Sequence, residues 1–254
     1  MKTEITAIIL ACDEAFNIAR AIKSLRGCCR ILVMDSGSQD GTPDIARSLG
    51  AEVIVTDWPG FAQQRRRALS LVDGEWILFL DADEALDDDL RQSLISFTPG
   101  ARVDGYYLKR ENYFSGRRLK HSRWENDWQL RLFRRSQAAI SSCLVHEGVA
   151  VAGRTERFTR GHIEHYTAAD IGSYLGKLMK YALLEAEEKH SRSRRISFPK
   201  MIFDLLSEFW KIYIHHQGFR DGWRGYALAQ LMAFYKFTVD AGIWESSSKV
   251  RDGG

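Results

Sequence analysis

The stretch Trp76-Ile77-Leu78-Phe79-Leu80-Asp81-Ala82-Asp83-Glu84 decides how this chain of 254 residues is expected to fold. Its first five residues form a short apolar run, which is typical of a strand buried on both faces of a parallel sheet. The run ends directly at Asp81, and Asp83 follows two residues later. Because ligands of open α/β sheets bind outside the carboxyl ends of the strands, this position predicts a functional edge.

Upstream of this stretch, short apolar runs alternate with segments of helical spacing. The predicted strands lie at 5–12, 30–35, 52–56 and 75–81, and the predicted helices at 14–25, 42–50, 61–71 and 87–97. Alternation at this spacing predicts right-handed βαβ units and a mostly parallel, Rossmann-like sheet with helices on both faces. The predicted fold class is therefore α/β.

Beyond residue 104 the alternation stops. The predicted strands at 105–110, 128–134 and 138–145 follow each other without long helices, which indicates a mixed second half of the sheet. After Tyr166 we predict only helices, at about 168–189, 198–215 and 223–244, with a hinge at 191–195. The predicted organisation is an α/β domain over residues 1–166 and a C-terminal helical region over residues 167–254.

Composition and charge exclude several classes of protein. The chain is 45% hydrophobic and 27% charged, as globular domains are, and its net charge of +3 is too small to favour a nucleic-acid partner. The longest uncharged stretch near the C-terminus, 225–235, is far shorter than the roughly 18 apolar residues of a spanning helix. The N-terminus has no apolar signal segment. We therefore expect a cytoplasmic protein, with peripheral contact to the inner membrane as an additional hypothesis.

Carboxylates follow three of the first four predicted strands. The residues at these strand ends are Asp13 and Glu14, Asp35 and Ser36, and Asp81 and Asp83. Helix capping explains a carboxylate at any one of these places, but three strand ends together favour a binding site. Neighbouring carboxylates repel unless a cation or a proton compensates them, and carboxylate oxygens suit Mg²⁺ or Mn²⁺. The chain has no P-loop pattern, so we expect a metal to hold any bound phosphate.

Three segments resemble the family 2 glycosyltransferases, which have the GT-A fold. They are ITAIILACDEAFNI at 5–18, VMDSGSQDGT at 33–42 and WILFLDADE at 76–84, and the resemblance covers about residues 4–150. The segment from Trp128 to Glu147 is similar to a bacterial subgroup that includes lipopolysaccharide inner-core transferases. Asp13 stands where the family usually has Asn, and His146-Glu147 stands where its Glu-Asp base motif is expected.

The resemblance implies inverting transfer from a UDP-glucose-like nucleotide-diphosphate sugar to a glycan or lipid-linked acceptor, such as inner-core heptose. It implies that Asp83, Asp81 and His146 hold Mg²⁺ or Mn²⁺. The residues expected at the nucleotide sugar are Asp13, Glu14, Asp35, Ser36, Arg65 and Asp81, and Arg131 is expected at the diphosphate or the acceptor. A carboxylate must take the proton of the acceptor hydroxyl. Glu147 is the first candidate for this base and Asp127 the second.

Two other functions remain open at this point. A nucleotidyltransferase that makes the activated sugar also places paired carboxylates after a strand, but it usually has a glycine-rich basic loop where this chain has Asp13-Glu14-Ala15. A non-catalytic sugar-binding or membrane-binding module is disfavoured by the intact Asp81 and Asp83. The helices after residue 166 combine aromatic and basic residues, which is typical of a membrane interface, although packing of these helices against the first domain is the alternative.

Overall fold

The computed structural model describes residues 3–58, 60–140, 149–168, 171–191 and 195–252. The chain divides into two compact units. The first, here called the N-terminal unit, comprises Met1–Glu111 and Asn126–Tyr166, and the second, the C-terminal unit, comprises Asn112–Glu125 and Thr167–Gly254.

Four parallel strands form one half of the main sheet. They are β1 (Ile5–Ala11), β2 (Arg30–Asp35), β3 (Glu52–Val55) and β4 (Trp76–Asp81), in the spatial order β3-β2-β1-β4. In the register of the sheet, Asp35 lies opposite Ala11, and Asp81 lies opposite Leu10. The ends of β2 and β4 therefore flank the end of β1, so the carboxylates predicted at these strand ends share one edge of the sheet.

Alternate side chains of these strands build a core on each face of the sheet. Ile9 and Leu78 belong to the core that includes residues of α1 (Ile18–Ser24), α2 (Thr42–Ser48) and α4 (Asp88–Ile95). Ile8 and Phe79 belong to the opposite core, to which α3 (Phe61–Ser70) contributes. Helices thus cover both faces, as the sequence predicts.

Helix α1 begins at Ile18, four residues later than predicted. The backbone N–H groups of Glu14 and Ala15 donate instead to Thr42 Oγ1 at 2.9 Å and to Asp40 Oδ2 at 2.8 Å. These bonds hold the segment as part of the strand-end loops and prevent it from joining the helix.

The second half of the sheet is antiparallel, which confirms the mixed organisation and the α/β class predicted from the sequence. It contains β5 (Glu84–Leu86), β6 (Gly105–Phe114), β7 (Arg117–Arg118), β8 (Asp127–Arg134) and β11 (Thr155–Ala168). The order continues from β4 through β8, β6 and β11 to β5, and β7 pairs with β6. Strands β9 (Ala138–Ile140) and β10 (Val149–Val151) form a separate antiparallel pair, and the remainder of the strand predicted at 138–145 falls outside the described residues.

The C-terminal unit is helical. It contains α5 (Ile171–Ser191), α6 (Phe198–Trp210), a π-helical turn at Lys211–His215, a 3-10 turn at Gly218–Asp221 and α7 (Trp223–Asp252). The three helices pack through a cluster that includes Ala186, Met201 and Ile243. In the described part of the chain, no helix combines the length and the apolar character that crossing a membrane requires.

Candidate active site

The loops that follow β1 and β2 are bonded to each other. The Asp13 N–H donates to Ser38 Oγ at 2.8 Å, and the Asp13 carboxylate accepts the N–H of Gln39 at 2.8 Å. Asp13 has a φ of +52°, a left-handed conformation that Asp tolerates better than most residues. The two loops therefore form one rigid rim at the carboxyl edge, and Asp13 and Glu14 lie on it.

Asp35 stabilises this rim through hydrogen bonds to its own loop. Its side chain is 0% exposed, and its oxygens accept the N–H groups of Gly37 and Ser38 at 3.0 and 2.9 Å and the Ser38 hydroxyl at 2.6 Å. Its neighbour Ser36 accepts a hydrogen bond from Gln64 Nε2 at 3.3 Å. In this conformation the Asp35 carboxylate is covered by its own loop. The predicted contact between Asp35 and a nucleotide would require the loop to move, and it stays a prediction.

Asp40 anchors the same rim through Ala15 and Thr42. Burial raises the pKa of the Asp40 carboxyl, but the hydrogen bonds from the Thr42 hydroxyl and from the Ala15 N–H lower it by more, so its pKa lies below the usual value. Asp40 is therefore ionised at neutral pH and holds the rim together as a charged acceptor.

At the end of β4, Asp81 is bound by two arginines. Arg131 Nη2 lies 2.7 Å from Asp81 Oδ2, and Arg65 Nη2 lies 3.7 Å from Asp81 Oδ1. Burial raises the pKa of the Asp81 carboxyl, but the charges of Arg131 and then Arg65 outweigh burial and hold the pKa well below its usual value. The Asp81 carboxylate is thus ionised and already paired, so it is not a ready metal ligand in this arrangement.

The carboxylate of Glu84 is the second partner of Arg131. It is 0% exposed, and its Oε1 lies 2.7 Å from Arg131 Nη2 and 3.2 Å from Arg110 Nη1. Its Oε2 accepts the backbone N–H of Asp81 at 3.0 Å. Burial lowers the pKa of the Arg131 guanidinium, but Asp81 and Glu84 raise it by more, so Arg131 stays charged although its side chain is only 9% exposed. Glu84 therefore fixes both Asp81 and its partner.

Asp127 belongs to this cluster through its contact with Arg110. Its Oδ2 lies 2.7 Å from Arg110 Nε, and its Oδ1 accepts a hydrogen bond from Gln129 Nε2 at 2.6 Å. The buried cluster thus alternates in charge through Asp81, Arg131, Glu84, Arg110 and Asp127. Such alternation compensates the cost of burying ions, since each charge meets an opposite one at hydrogen-bond distance.

Asp83 lies on the other side of the strand end. Its Oδ2 is 3.6 Å from His165 Nε2, and both side chains are 15% exposed. Within the part of the chain that the structure describes, no group of three or more potential ligands is present that could hold a metal ion. The Asp83 carboxylate still fits Mg²⁺ or Mn²⁺, because oxygen ligands suit both ions, and Mg²⁺ is usually held by one or two carboxylates and completes its shell with substrate phosphates and water.

A cavity of about 240 Å³ lies beside this cluster. Arg65 and Arg131 contribute its charged lining, and Phe79, Tyr107 and Trp128 contribute aromatic rings. Two arginines predicted to meet a phosphate therefore share one cavity, next to the end of β4.

The structure accordingly gathers the predicted residues into two places. Asp13, Glu14, Asp35 and Ser36 lie at the ends of β1 and β2, whereas Arg65, Asp81, Asp127 and Arg131 belong to the ion cluster beside the cavity. The predicted residues His146 and Glu147 lie outside the described residues.

Three residues of the site were missed by sequence reasoning, namely Glu84, Arg110 and His165. Glu84 stands in the quoted segment WILFLDADE and could have been proposed as a third carboxylate. Arg110 and His165 come from β6 and β11 and carry no local pattern, so only the pairing of the strands brings them to the site.

Comparison with known proteins defines the class of protein to which this fold and site belong. The profile described as Glycosyl transferase family 2 matches residues 6–152, so the chain belongs to that family and is a glycosyltransferase. The predicted family, with its GT-A fold class, is therefore confirmed, together with the use of a nucleotide-sugar donor and an acceptor that the family implies.

Two relatives that are similar in sequence over nearly the whole chain agree with that assignment. The lipopolysaccharide core biosynthesis glycosyltransferase LpsC of Rhizobium meliloti (strain 1021) is 28% identical over 96% of this chain and 93% of its own length. An uncharacterized glycosyltransferase of Rickettsia felis is 27% identical over 98% of this chain and 92% of its own length. The crystal structure of glucosyl-3-phosphoglycerate synthase from Mycobacterium tuberculosis matches with a TM-score of 0.35 and 23% identity, over 44% of each chain.

The ion cluster generates a prediction about stability. We expect Glu84→Ala to lower the free energy of unfolding by about 3–5 kcal/mol, because it removes a fully buried carboxylate that pairs with Arg131 and Arg110 and accepts the Asp81 N–H. Urea denaturation measures this change. The matched control is Glu52→Ala, since the Arg30–Glu52 pair has the same 2.7 Å separation but is half exposed, and we expect a much smaller loss of stability. Equal costs for the two variants would contradict the structural role given to Glu84.

Proposed function

We propose that this glycosyltransferase is metal-dependent and inverts the anomeric carbon of the sugar that it transfers from a nucleotide diphosphate. The observation that carries the proposal is the Asp83–His165 pair, which lies two residues beyond the end of β4 at the carboxyl edge of the parallel strands. A divalent ion at this pair suits a leaving diphosphate, whose developing charge needs a positive charge that is already in place.

Asp83 and His165 would hold the divalent ion, which would supply positive charge to the leaving diphosphate when bound. Among the predicted metal ligands, Asp81 is the least suited, because Arg131 and Arg65 already occupy its carboxylate. The role of Asp81 in this proposal is to hold those two guanidinium groups at the edge of the cavity. His146 remains the further ligand that the resemblance implies.

For the catalytic base, the proposal favours Glu147 over Asp127. Both oxygens of Asp127 already accept hydrogen bonds, from Arg110 and from Gln129, and such bonds stabilise the ionised form and weaken it as a base. Asp127 is thus better suited to positioning Arg110 than to taking a proton. Glu147 follows the hairpin strand β9 in the chain and precedes β10, whose Val149 lines the cavity.

The proposed acceptor is a sugar of the lipopolysaccharide core or a related lipid-linked glycan. Support comes from the similarity to LpsC, which spans nearly the whole of both chains. An acceptor of this kind is attached to a membrane, which gives a reason for the enzyme to bind a lipid surface.

The metal proposal predicts a loss of donor binding in Asp83→Ala. We expect nucleoside diphosphates and their sugars to raise the melting temperature of the wild-type chain more with Mn²⁺ than without it, because a ligand that binds only the folded state stabilises it. The Asp83→Ala variant should lose this Mn²⁺-dependent increment. Its melting temperature without ligand should equal that of the wild type.

The control for this experiment is Asp44→Ala, whose side chain is 85% exposed on α2 and pairs there with Arg47. It should respond to Mn²⁺ and donor as the wild type does. An Mn²⁺-dependent increment that survives in Asp83→Ala would contradict the assignment of the metal to Asp83.

Peripheral attachment to the cytoplasmic face of the inner membrane is supported by the surface of α6. Phe198, Ile202, Leu206 and Trp210 follow each other at intervals of four residues, so they share one helix face, and all four are exposed. Met201 and Asp204, on the other side of the same helix, are buried. A helix that exposes large apolar and aromatic side chains beside lysines is suited to the interface of a bilayer.

We therefore expect the full chain to sediment with anionic vesicles, and the binding to weaken but persist at high salt. Salt screens the attraction of the basic residues, whereas burial of the apolar side chains does not depend on salt. The double variant Phe198→Ser, Trp210→Ser should lose the salt-resistant part. Leu71→Ser, which alters an exposed apolar residue of the N-terminal unit, serves as the control. Absence of vesicle binding by the wild type would contradict the membrane proposal and leave the transferase proposal standing.

A further inference from the structure

The cavity beside the ion cluster has a lining suited to one class of ligand. Its charged lining consists of Arg65 and Arg131, and no carboxylate is among the described residues that line it. Phe79, Tyr107 and Trp128 contribute three aromatic rings to the same walls. Aromatic walls with a few well-placed polar groups are typical of sites that stack a ring and fix its orientation. The guanidinium groups of Arg65 and Arg131 favour a ligand whose ring carries a negatively charged substituent.

Arg131 has a hydrogen-bond donor that its protein partners leave unused. Its side chain is 9% exposed, and Nη2 serves Asp81 and Glu84, but the buried Nε–H has no acceptor within the described part of the chain. A buried donor without an acceptor costs free energy, roughly 1–3 kcal/mol and more for a charged group. Arg131 thus keeps a hydrogen-bond donor in excess of its two carboxylate partners, and the same residue forms part of the wall of the cavity.

The size of the cavity limits what can enter it. A volume of about 240 Å³ lies below the roughly 300–1,000 Å³ of sites that enclose a drug-sized molecule. The cavity therefore fits one saccharide ring with its substituent better than it fits a whole nucleotide sugar. The contacts proposed for the nucleotide, through Asp13 and Glu14, lie at the end of β1.

Trp128 gives the cavity a fixed aromatic platform. The guanidinium of Arg157 lies over its ring, 4.9 Å from the centroid, and a cation in this position is attracted to the face of an indole. Trp128 also stands next to Asp127, which Arg110 holds in the ion cluster. The platform and the buried cations are thus parts of one ordered wall, formed largely by β8.

We propose that this cavity is the acceptor subsite, that it takes one saccharide ring carrying a phosphate or a carboxylate, and that Trp128 is the platform on which the ring stacks. The proposal rests on the proposed transferase function, because only a sugar acceptor gives the subsite its role. The phosphate or carboxylate of the acceptor meets Arg131 and Arg65, and the ring face meets the indole.

Calorimetric titration of the full chain with glucose 6-phosphate, glucuronate and glucose tests the charge preference. The two charged probes should bind at least roughly ten-fold more tightly than glucose, since hydrogen bonds to charged groups contribute more than neutral ones. The nucleoside diphosphate that stabilises the chain best with Mn²⁺ should leave this binding unchanged. Equal binding of glucose, no binding of either charged probe, or displacement by the nucleoside diphosphate would each overturn the proposal.

Variants of Trp128 test the platform. Trp128→Ala should weaken binding of the charged probes about ten-fold, whereas Trp128→Phe, which keeps an aromatic face, should stay within about three-fold of the wild type. The matched control is Trp223→Ala, because Trp223 also lies against an arginine, at 4.7 Å from Arg224, but belongs to the C-terminal unit. Unchanged probe binding in Trp128→Ala would overturn the platform role.

Titration of the nucleotide sugar separates this inference from the transferase proposal. If Trp128→Ala binds the donor with Mn²⁺ as the wild type does and loses only the charged probes, the cavity serves the acceptor. If instead the variant loses the donor and keeps the probes, the cavity belongs to the donor and the acceptor assignment is overturned, although the transferase function stands. Failure of the wild type to bind any nucleotide sugar would count against the transferase proposal itself.

Discussion

The pairing of Arg131 with two carboxylates is the interaction on which the rest of the candidate site depends. Asp81 ends a strand that is buried along its whole apolar length, and its charge at that point is stabilised by Arg131, which lies 2.7 Å away. Arg131 is itself buried and requires a second anion, which Glu84 provides at the same distance. Glu84 also accepts the N–H of Asp81 and so fixes the backbone at the strand end. Removal of any one of these groups takes a partner of opposite charge from each of its neighbours in the cluster.

The pairing of Asp81 with arginines gives Asp81 and Asp83 different roles. Asp81 is held by arginines and acts through them, whereas Asp83, two residues further on, faces His165. At the ends of β1 and β2 a second set of bonds, centred on Asp35 and Asp40, shapes a rim from the loops. A site with both features is organised before a substrate arrives, and preorganised donors are the main means by which enzymes stabilise developing charge. The chain belongs to glycosyl transferase family 2, and the substrates that this family implies are a nucleotide-sugar donor and an acceptor.

The parallel half of the fold could be predicted because its strands are continuous apolar runs, as in Trp76–Leu80, and because each is followed by a helix of regular spacing. Strand β11 could not, because Thr155–Ala168 is mostly polar and charged, and Ile163 and the partly buried Phe158 are its residues at the core cluster. The ion cluster escaped prediction for a related reason. Asp81 and Arg131 are 50 residues apart and meet only because β8 pairs antiparallel with β4, a pairing that no local pattern encodes. Likewise, His165 reaches Asp83 through the pairing of β11 with β5.

The central claim is that a nucleotide-diphosphate sugar binds at the carboxyl edge of the parallel strands, across the rim and the end of β4. Hydrogen–deuterium exchange of the full chain, with and without a nucleoside diphosphate and Mn²⁺, tests this most directly, because bound ligand slows exchange where it covers or stabilises the backbone. The account predicts protection in peptides that cover residues 12–17, 35–42 and 81–86, with little change in α7. Protection confined to the C-terminal unit, or none at these three strand ends, would contradict it.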